Sequence, residues 1–415
     1  MSVAERSSPR QDRARVSRAD LAGAAAERPG RGPQPEAGAA PAAPFRAPAS
    51  RHFAKDVSAL LAPSAGLRES RRHKRYGQRG VLWRESALAR VRKCGRVPLG
   101  DVAITENAGV AHYAGLETCG SIWACPVCSA KIRNSRATEI SAAAASWDLA
   151  GNSVYMVTFT APHDLGMKLS ALLPVIADSF RAVISGRAWL KVKKQAAIVG
   201  TIRSVEVTHG INGWHPHLHV LVFTEGDPGA EGLAAMVLHF REKWKRAIVR
   251  AGYRAPDELH GVVVERCMSA AEAGAYIAKT QEGKAPGNEL ARGDLKSGRD
   301  GHRTPFEILE AFRWTGDADD LALWRVYERA TRGHQAITWS KGLRALLAAP
   351  ERTDEELAAE EVGGEIIVRI PPDIWRSAVW VPGLPAYLLD EAERGGADAV
   401  LAALERFGIM SLPGG

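Results

Sequence analysis

The stretch TIRSVEVTHGINGWHPHLHVLVF, residues 201–223, limits the possible folds of this chain more than any other segment. Its first nine residues alternate, Gly210-Ile211-Asn212-Gly213 supplies turn chemistry, and a second strand pattern follows, as in a β-hairpin. With Ile211 and Asn212 at the tip, the residue numbers of facing pairs share one sum, so Glu206 lies opposite His217. Side chains two apart on a strand share a face, and Glu206, His217 and His219 therefore point the same way. Histidine is scarce, 12 in 415 residues, so three at alternate positions is no accident of composition. Two imidazoles and a facing carboxylate, with room for external ligands, are a donor set suited to metal catalysis. Imidazole favours manganese or another transition ion, while the carboxylate and open positions also admit magnesium. His215 precedes Pro216, whose ring removes a ladder donor and marks a strand start or edge, so it ranks below the other two. The competing possibility is a set of half-buried strand histidines hydrogen-bonded to their neighbours.

The flanking pattern places this hairpin in a larger unit. Residues 152–161 (NSVYMVTFTA) read as a strand, 169–197 as a helix despite Pro174, 231–249 as a second helix, 261–267 as a strand and 270–280 as a third helix. The order β-α-β-β-α-β predicts an α+β, ferredoxin-like antiparallel sheet with helices on one face and the other face left for a site. In the helix over 270–280, Glu272 and Tyr276 are four apart and Lys279 is three further on, so the three share a face. A phenol ionises near pH 10 and needs a polarised electrophile or a base to act as a nucleophile. Glu272 offers the base, and Lys279 a cation for a phosphate or a developing phenolate. Such triplets are also common on solvated helices, and it is the position after the last strand that gives this one meaning.

Four of the five cysteines, Cys94, Cys119, Cys125 and Cys128, precede the sheet. Cys125-Pro-Val-Cys128 has the spacing of two thiolates on one tetrahedral ion, and Cys119 and Cys94 complete a set for structural zinc. The C-x-x-C redox reading lacks a thioredoxin-like setting, and Cys267 reads as a packed residue. Lys131, Arg133 and Arg136 follow the knuckle and are candidate phosphate contacts. His163, in TAPHD, reads as a solvent-exposed loop histidine and is left out of the ligands.

The formal charge of +8 favours a polyanionic partner. A basic cluster, RRHKRYGQR at 71–79, contrasts with an acidic last sixty residues, which suits nucleic acid and equally suits a solvated basic arm. The expected organisation is a disordered tail over 1–68, a basic and cysteine-rich zinc module over 69–148, the sheet domain over 149–285, a helical extension over 286–349 and an acidic region over 350–415. No run of about 18 apolar residues occurs, so no membrane span is expected, and the charged N-terminus lacks a secretory core; a cytoplasmic protein is the expectation.

The H-x-H strand after an acidic strand, with a tyrosine helix downstream, resembles the HUH endonucleases. More closely, VTFTAPHD, VEVTHGINGWHPHLHVLVF, EAGAYIAK and WSKGLR resemble plasmid rolling-circle replication initiator (Rep) proteins of the single-tyrosine type, over about residues 94–347. The segment CGSIWACPVCSAKIRNSRA is similar to a cysteine block ahead of the catalytic sheet in those initiators. The resemblance implies nicking of one strand at a plasmid double-strand origin in an extruded hairpin, a 5′-phosphotyrosine link at Tyr276, and a released 3′ hydroxyl that primes synthesis. It implies His217, His219 and Glu206 as metal ligands, and Glu272 as the group that activates water or hydroxyl at termination. No phosphate-cradling G-x-x-x-x-G-K-[ST] segment occurs, so strand separation and synthesis fall to a host helicase and polymerase. Rivals are an HUH transposase, which usually carries two tyrosines where this helix has one, and a relaxase, which generally has three histidines and an early tyrosine. A non-catalytic zinc-dependent DNA-binding regulator is a third, although a pure binder has no use for a nucleophile beside a cation.

Overall fold

The computed structural model describes residues 70–267 and 301–410. The expected tail and the helix carrying Glu272, Tyr276 and Lys279 lie outside the described residues. In chain order the first elements are α1 (Arg71–Glu85), α2 (Ala89–Lys93), β1 (Pro98–Asn107), β2 (Val110–Leu116), α3 (Pro126–Leu149), β3 (Ser153–Thr160), α4 (Leu169–Val183) and α5 (Gly186–Gln195). Then come β4 (Ile198–Gly210), β5 (Gly213–Thr224), α6 (Gly229–Arg250), β6 (Val262–Arg266), α7 (Pro305–Thr315), α8 (Ala318–Ala330) and β7 (Ile337–Trp339). The last are α9 (Leu343–Leu346), α10 (Asp354–Ala359), β8 (Glu365–Ile370), α11 (Pro372–Ala378) and α12 (Leu384–Arg406).

These elements form an α+β structure with two antiparallel sheets, one ordered β6-β3-β5-β4-β7 and the other β2-β1-β8. In the larger sheet, β-branched and aromatic residues suit a pleated surface packed on both sides. One face presents Tyr155, Val157, Phe159, Val205, Leu218 and Val220 to the apolar stripes of α4 and α6. Phe159 sits centrally there, with Phe180 and Phe240 each 5.5 Å and Trp244 5.1 Å away between ring centroids. The helix expected over 169–197 is broken: α4 and α5 meet at a 63° bend, where Gly186 takes a positive φ of +79°, a conformation open to glycine and strained for most other residues.

The opposite face departs from the expectation that it is left open. Val154, Met156, Ile202, Leu221 and Phe223 pack against Ala137, Ile140 and Ala144 of α3. The small alanines let α3 lie close to the strands, so it covers the half of this face remote from the hairpin turn. The other half carries Thr158, Glu206, His217 and His219. This division explains the run of histidines into an apolar tail on β5: the same row of side chains passes from a polar, partly buried stretch to an apolar core beneath α3.

The acidic C-terminal region, expected as a separate unit, supplies β8 to the sheet begun by β1 and β2. Val102 and Ile104 of β1 share a core with Ile370, Trp375, Leu388 and Phe407, and Trp83 brings α1 into it. Likewise the expected helical extension adds β7 as an edge strand, pairing Ile202 with Trp339.

The basic cluster is neither a free arm nor wholly available to a polyanion, because it folds as α1 against the acidic α12. Arg72 pairs with Asp390 at 2.5 Å and with Glu393, and His73 Nε2 lies 2.5 Å from Asp390 Oδ2. The Arg72 guanidinium holds the Glu393 carboxyl below its ordinary value of 4.5. A carboxylate depressed in the folded state contributes stability above its unfolded pKa and loses it as pH falls through the folded value. Arg72→Met is therefore expected to cost about 1–2 kcal/mol at pH 7, between an exposed and a buried pair. The deficit should shrink as pH drops below 4.5; urea unfolding at pH 7 and pH 3.5 reads both, and an unchanged deficit at the lower pH would contradict the pairing.

Candidate metal centre

The hairpin turn sets the geometry of the site. Gly213 takes φ +83°, and a Cβ there would lie 3.0 Å from Leu165 Cα, so glycine is required twice over. Through this turn β4 and β5 pair Gly210 with Gly213, Glu206 with His217 and Ser204 with His219. On the other side β3 pairs Thr158 with His219. Glu206, His217 and His219 are thus brought together, with ligand atoms within 4.8 Å of one another. Glu206 Oε2 lies 3.7 Å from His217 Nε2 and 3.2 Å from His219 Nε2.

These donors fit a divalent cation. His219 Nε2 is buried and, among the described residues, has no hydrogen-bond partner despite its closeness to Glu206. Two ligand atoms about 2.1 Å from one ion lie roughly 3.0–3.4 Å apart without bonding each other, for octahedral or tetrahedral geometry. The other ring nitrogen, His219 Nδ1, is 3.2 Å from Thr158 Oγ1, the kind of outer contact that fixes a ligand's tautomer. With Nε2 given to a cation, Nδ1–H donates to Thr158. The sequence reading missed Thr158, although alternation along VTFT carried the signal once β3 is placed beside β5.

A row of imidazoles continues from this pair toward the hairpin tip. His215 stacks on His163, with centroids 4.4 Å apart and planes 13° off parallel, and lies 5.0 Å from His217 and 5.8 Å from His302. Burial, reinforced by its histidine neighbours, pushes His215 down to about 3, so it is neutral at physiological pH. His163, expected to be solvent-exposed, is half-buried instead. His302 reaches the row because Arg303 bridges His209 through paired backbone hydrogen bonds of 2.9 and 2.7 Å. No local pattern in the sequence marks His302.

The second cluster comprises Cys94, Cys119, Cys125 and Cys128, all buried free thiols. Sγ separations are 3.4 Å for Cys94–Cys128 and 3.7 Å for both Cys94–Cys125 and Cys119–Cys128. These are far longer than a disulfide bond of about 2.05 Å and close to the edge of roughly 3.8 Å in a tetrahedron with 2.3 Å zinc–sulfur bonds. Cys125 caps the N-terminus of α3 and Cys128 lies in its first turn, so the cluster anchors the helix that braces the sheet. Cys267 follows β6, half-buried, and burial pushes its thiol up to about 12.

The three candidate phosphate contacts are engaged inside the fold. Arg133 is 6% exposed, donates to Ser129 Oγ at 3.2 Å and lies over Trp123. Arg136, 7% exposed, donates to the Arg352 carbonyl at 2.5 Å and pairs with Asp354 at 3.2 Å. Lys131 donates to the carbonyls of Ala358 and Glu360. Lys131 and Arg136 thus fasten α3 to the acidic segment around α10, while Arg133 stays along α3 beside Trp123.

Comparison with known proteins places the chain. It is 35% identical over 348 residues to "Protein rep" of Streptomyces lividans, an alignment covering 68% of this chain and 76% of that protein. The chain belongs to the Rep protein family. A second match is partial: the chain is 32% identical over 176 residues to "Neomycin resistance protein" of Streptomyces cyanogenus, 34% of this chain and 40% of that one. No protein-family model and no solved structure matches. For this member of the Rep family, no single described helix is long and apolar enough to cross a membrane.

Proposed function

We propose that this protein initiates plasmid replication by the rolling-circle route, as an HUH nickase that cuts one strand at the double-strand origin and remains joined to its 5′ end. The observation that carries the proposal is the convergence of His217 Nε2 and His219 Nε2 on Glu206 Oε2 on one sheet face, beyond the part packed against α3. Membership in the Rep family supports it, as does a β-α-β-β-α-β run folded into one antiparallel sheet.

A divalent cation, manganese or magnesium, held by Glu206, His217 and His219 would supply Lewis-acid polarisation of the scissile phosphate. Thr158 holds the His219 ring, and the neutral His215 and His163 pair walls the site on the side of the turn. The phenolic oxygen of Tyr276 attacks phosphorus in line and its proton passes to a base, for which Glu272 is the candidate, as it is for activating the incoming hydroxyl at termination. The P–O3′ bond breaks, and the departing oxygen takes up a proton as the 3′ hydroxyl. One phosphodiester is exchanged for one phosphotyrosine, so no nucleotide is consumed and rejoining at termination is the same exchange reversed. Lys279, three residues beyond Tyr276, balances the charge on the phosphate. The Cys94, Cys119, Cys125 and Cys128 cluster, loaded with zinc, keeps α3 against the sheet. Origin DNA is the partner, and a host helicase and polymerase extend the 3′ end.

The test is incubation with supercoiled DNA of the parent replicon and manganese. Nicked circles bearing protein on a 5′ end are expected; Tyr276→Phe should lose both nick and adduct, by at least about 10³-fold, while retaining origin binding in a mobility-shift assay. An adduct persisting in the phenylalanine variant would reject Tyr276 as the nucleophile.

A further inference from the structure

Arg79 is the most deeply buried cation of the basic cluster, and its surroundings do not balance its charge. It is 3% exposed, and among the described residues its Nε and Nη2 have no hydrogen-bond partner and no carboxylate pairs with it. Its guanidinium lies 4.3 Å from the Tyr76 ring centroid and 5.5 Å from that of Trp83. Aromatic faces offer a cation a modest attraction, which falls well short of the several kcal/mol that burial of an unpaired ion costs. Arginine cannot escape by losing its proton.

The groups near it are sulfurs. Arg79 lines a cleft of about 720 Å³ together with Tyr76, Cys94, Gly95 and Cys128. Its charge is felt by Cys94, Cys125 and Cys128. The chain makes room for it at Gly95, where φ is +64° and an added Cβ would fall 2.1 Å from Arg79 Nη1. Trp83, one helical turn after Arg79, donates its indole N–H to the Cys94 carbonyl at 2.8 Å and ties α1 to the same loop. Lys131 is another cation within electrostatic reach of Cys128, but its ammonium is spent on the carbonyls of Ala358 and Glu360.

Four thiolates around one zinc ion carry a net charge of −2, and all four cysteines here are at most 3% exposed. A buried dianion and a buried unpaired cation in one cleft answer each other. We propose that Arg79 is the counter-charge of a zinc tetrathiolate at Cys94, Cys119, Cys125 and Cys128, its free N–H groups directed at the sulfurs. The proposal rests on the zinc reading of that cluster. Arg79 is then a positioning residue rather than a ligand: it lowers the energy of the charged cluster and gains from it acceptors for Nε and Nη2.

The experiment measures zinc retention by the full-length protein against a graded chelator, followed by mass spectrometry, for the wild type and for Arg79→Met, Arg79→Gln and Arg79→Lys. Loss of an outer-shell partner typically lowers metal affinity 10–100-fold, and that loss is expected for the methionine and glutamine variants. Lysine, which keeps the charge, should recover most of it. A second readout separates charge from packing: melting of zinc-loaded protein should fall in Arg79→Met, while melting of chelator-stripped protein should not, because the stripped site has no dianion to balance. The two uncharged variants are read in parallel, so failure of one to fold leaves the other to decide. Unchanged zinc affinity in either uncharged variant, or a lysine variant as weak as methionine, would overturn the role of Arg79. Absence of zinc from the wild type would instead remove the tetrathiolate itself.

Discussion

Replacing His217 and His219 together with alanine will leave a protein that folds and binds origin DNA yet no longer cuts it. His217 is half-buried and His219 is 8% exposed, and both lie outside the apolar clusters beneath α3 and α4, so their loss removes donors while leaving those apolar cores intact. If the cation they hold contributes several kcal/mol of transition-state stabilisation, nicking should fall at least about 10³-fold. Glu206→Gln keeps one oxygen donor and loses the charge, and should be milder. Thr158→Val spares every donor but releases the His219 ring, and the outer-shell range of about 10–100-fold applies to it. Rates over a manganese titration distinguish these cases: the Thr158 and Glu206 variants should recover part of their activity at high manganese, whereas the double histidine variant should not. Full activity in the double variant would show that the convergence of these side chains serves the fold and not the chemistry.

Cys125→Ser is expected to be the most damaging single change to stability. Cys125 is completely buried, caps α3 and faces Cys94 at 3.7 Å. Structural zinc in small domains is worth about 10–16 kcal/mol as apparent binding energy. Even a fraction of that, withdrawn from a chain of this size, lowers the melting temperature by roughly 10 °C or more. Because α3 carries Cys128 at one end and Ile140 and Ala144 under the sheet further along, disorder should spread from the cluster to the covered half of the face that carries His217 and His219. Calorimetry of Cys125→Ser beside chelator-stripped wild type should give matching, lowered transitions. A serine variant as stable as the zinc-free wild type, with neither of them reduced from the untreated protein, would remove zinc from the account.

The hairpin was legible because its determinants are local: turn residues, alternation and the period of two together dictate that Glu206 faces His217. The β-α-β-β-α-β order was legible for the same reason, apart from the break at Gly186. Pairings between distant segments were not. Nothing in DVAITEN announces that β1 will take β8 as a partner, since alternating apolar residues mark a strand but not its neighbour. Arg72, Arg79, Arg133 and Arg136 read alike in a basic sequence, whereas the fold gives Arg72 to Glu393, buries Arg79 beside thiols, and turns Arg133 and Arg136 inward. Charge composition reports how many cations a chain has and is silent on how many remain for a partner. His302 joined the imidazole row through the backbone pairing of Arg303 with His209, and His163 because β3, which it follows, pairs with β5.

The account turns on a cation at Glu206, His217 and His219 acting with the Tyr276 oxygen on one phosphate. The most direct measurement is peptide mass spectrometry of the covalent complex formed on a single-stranded origin oligonucleotide, with and without divalent metal. The account predicts a 5′-phosphorylated nucleotide on the peptide containing Tyr276, present only with metal and only when His217 and His219 are intact. A nucleotide mapped to another residue, or an adduct that forms equally in the presence of chelator, would contradict it.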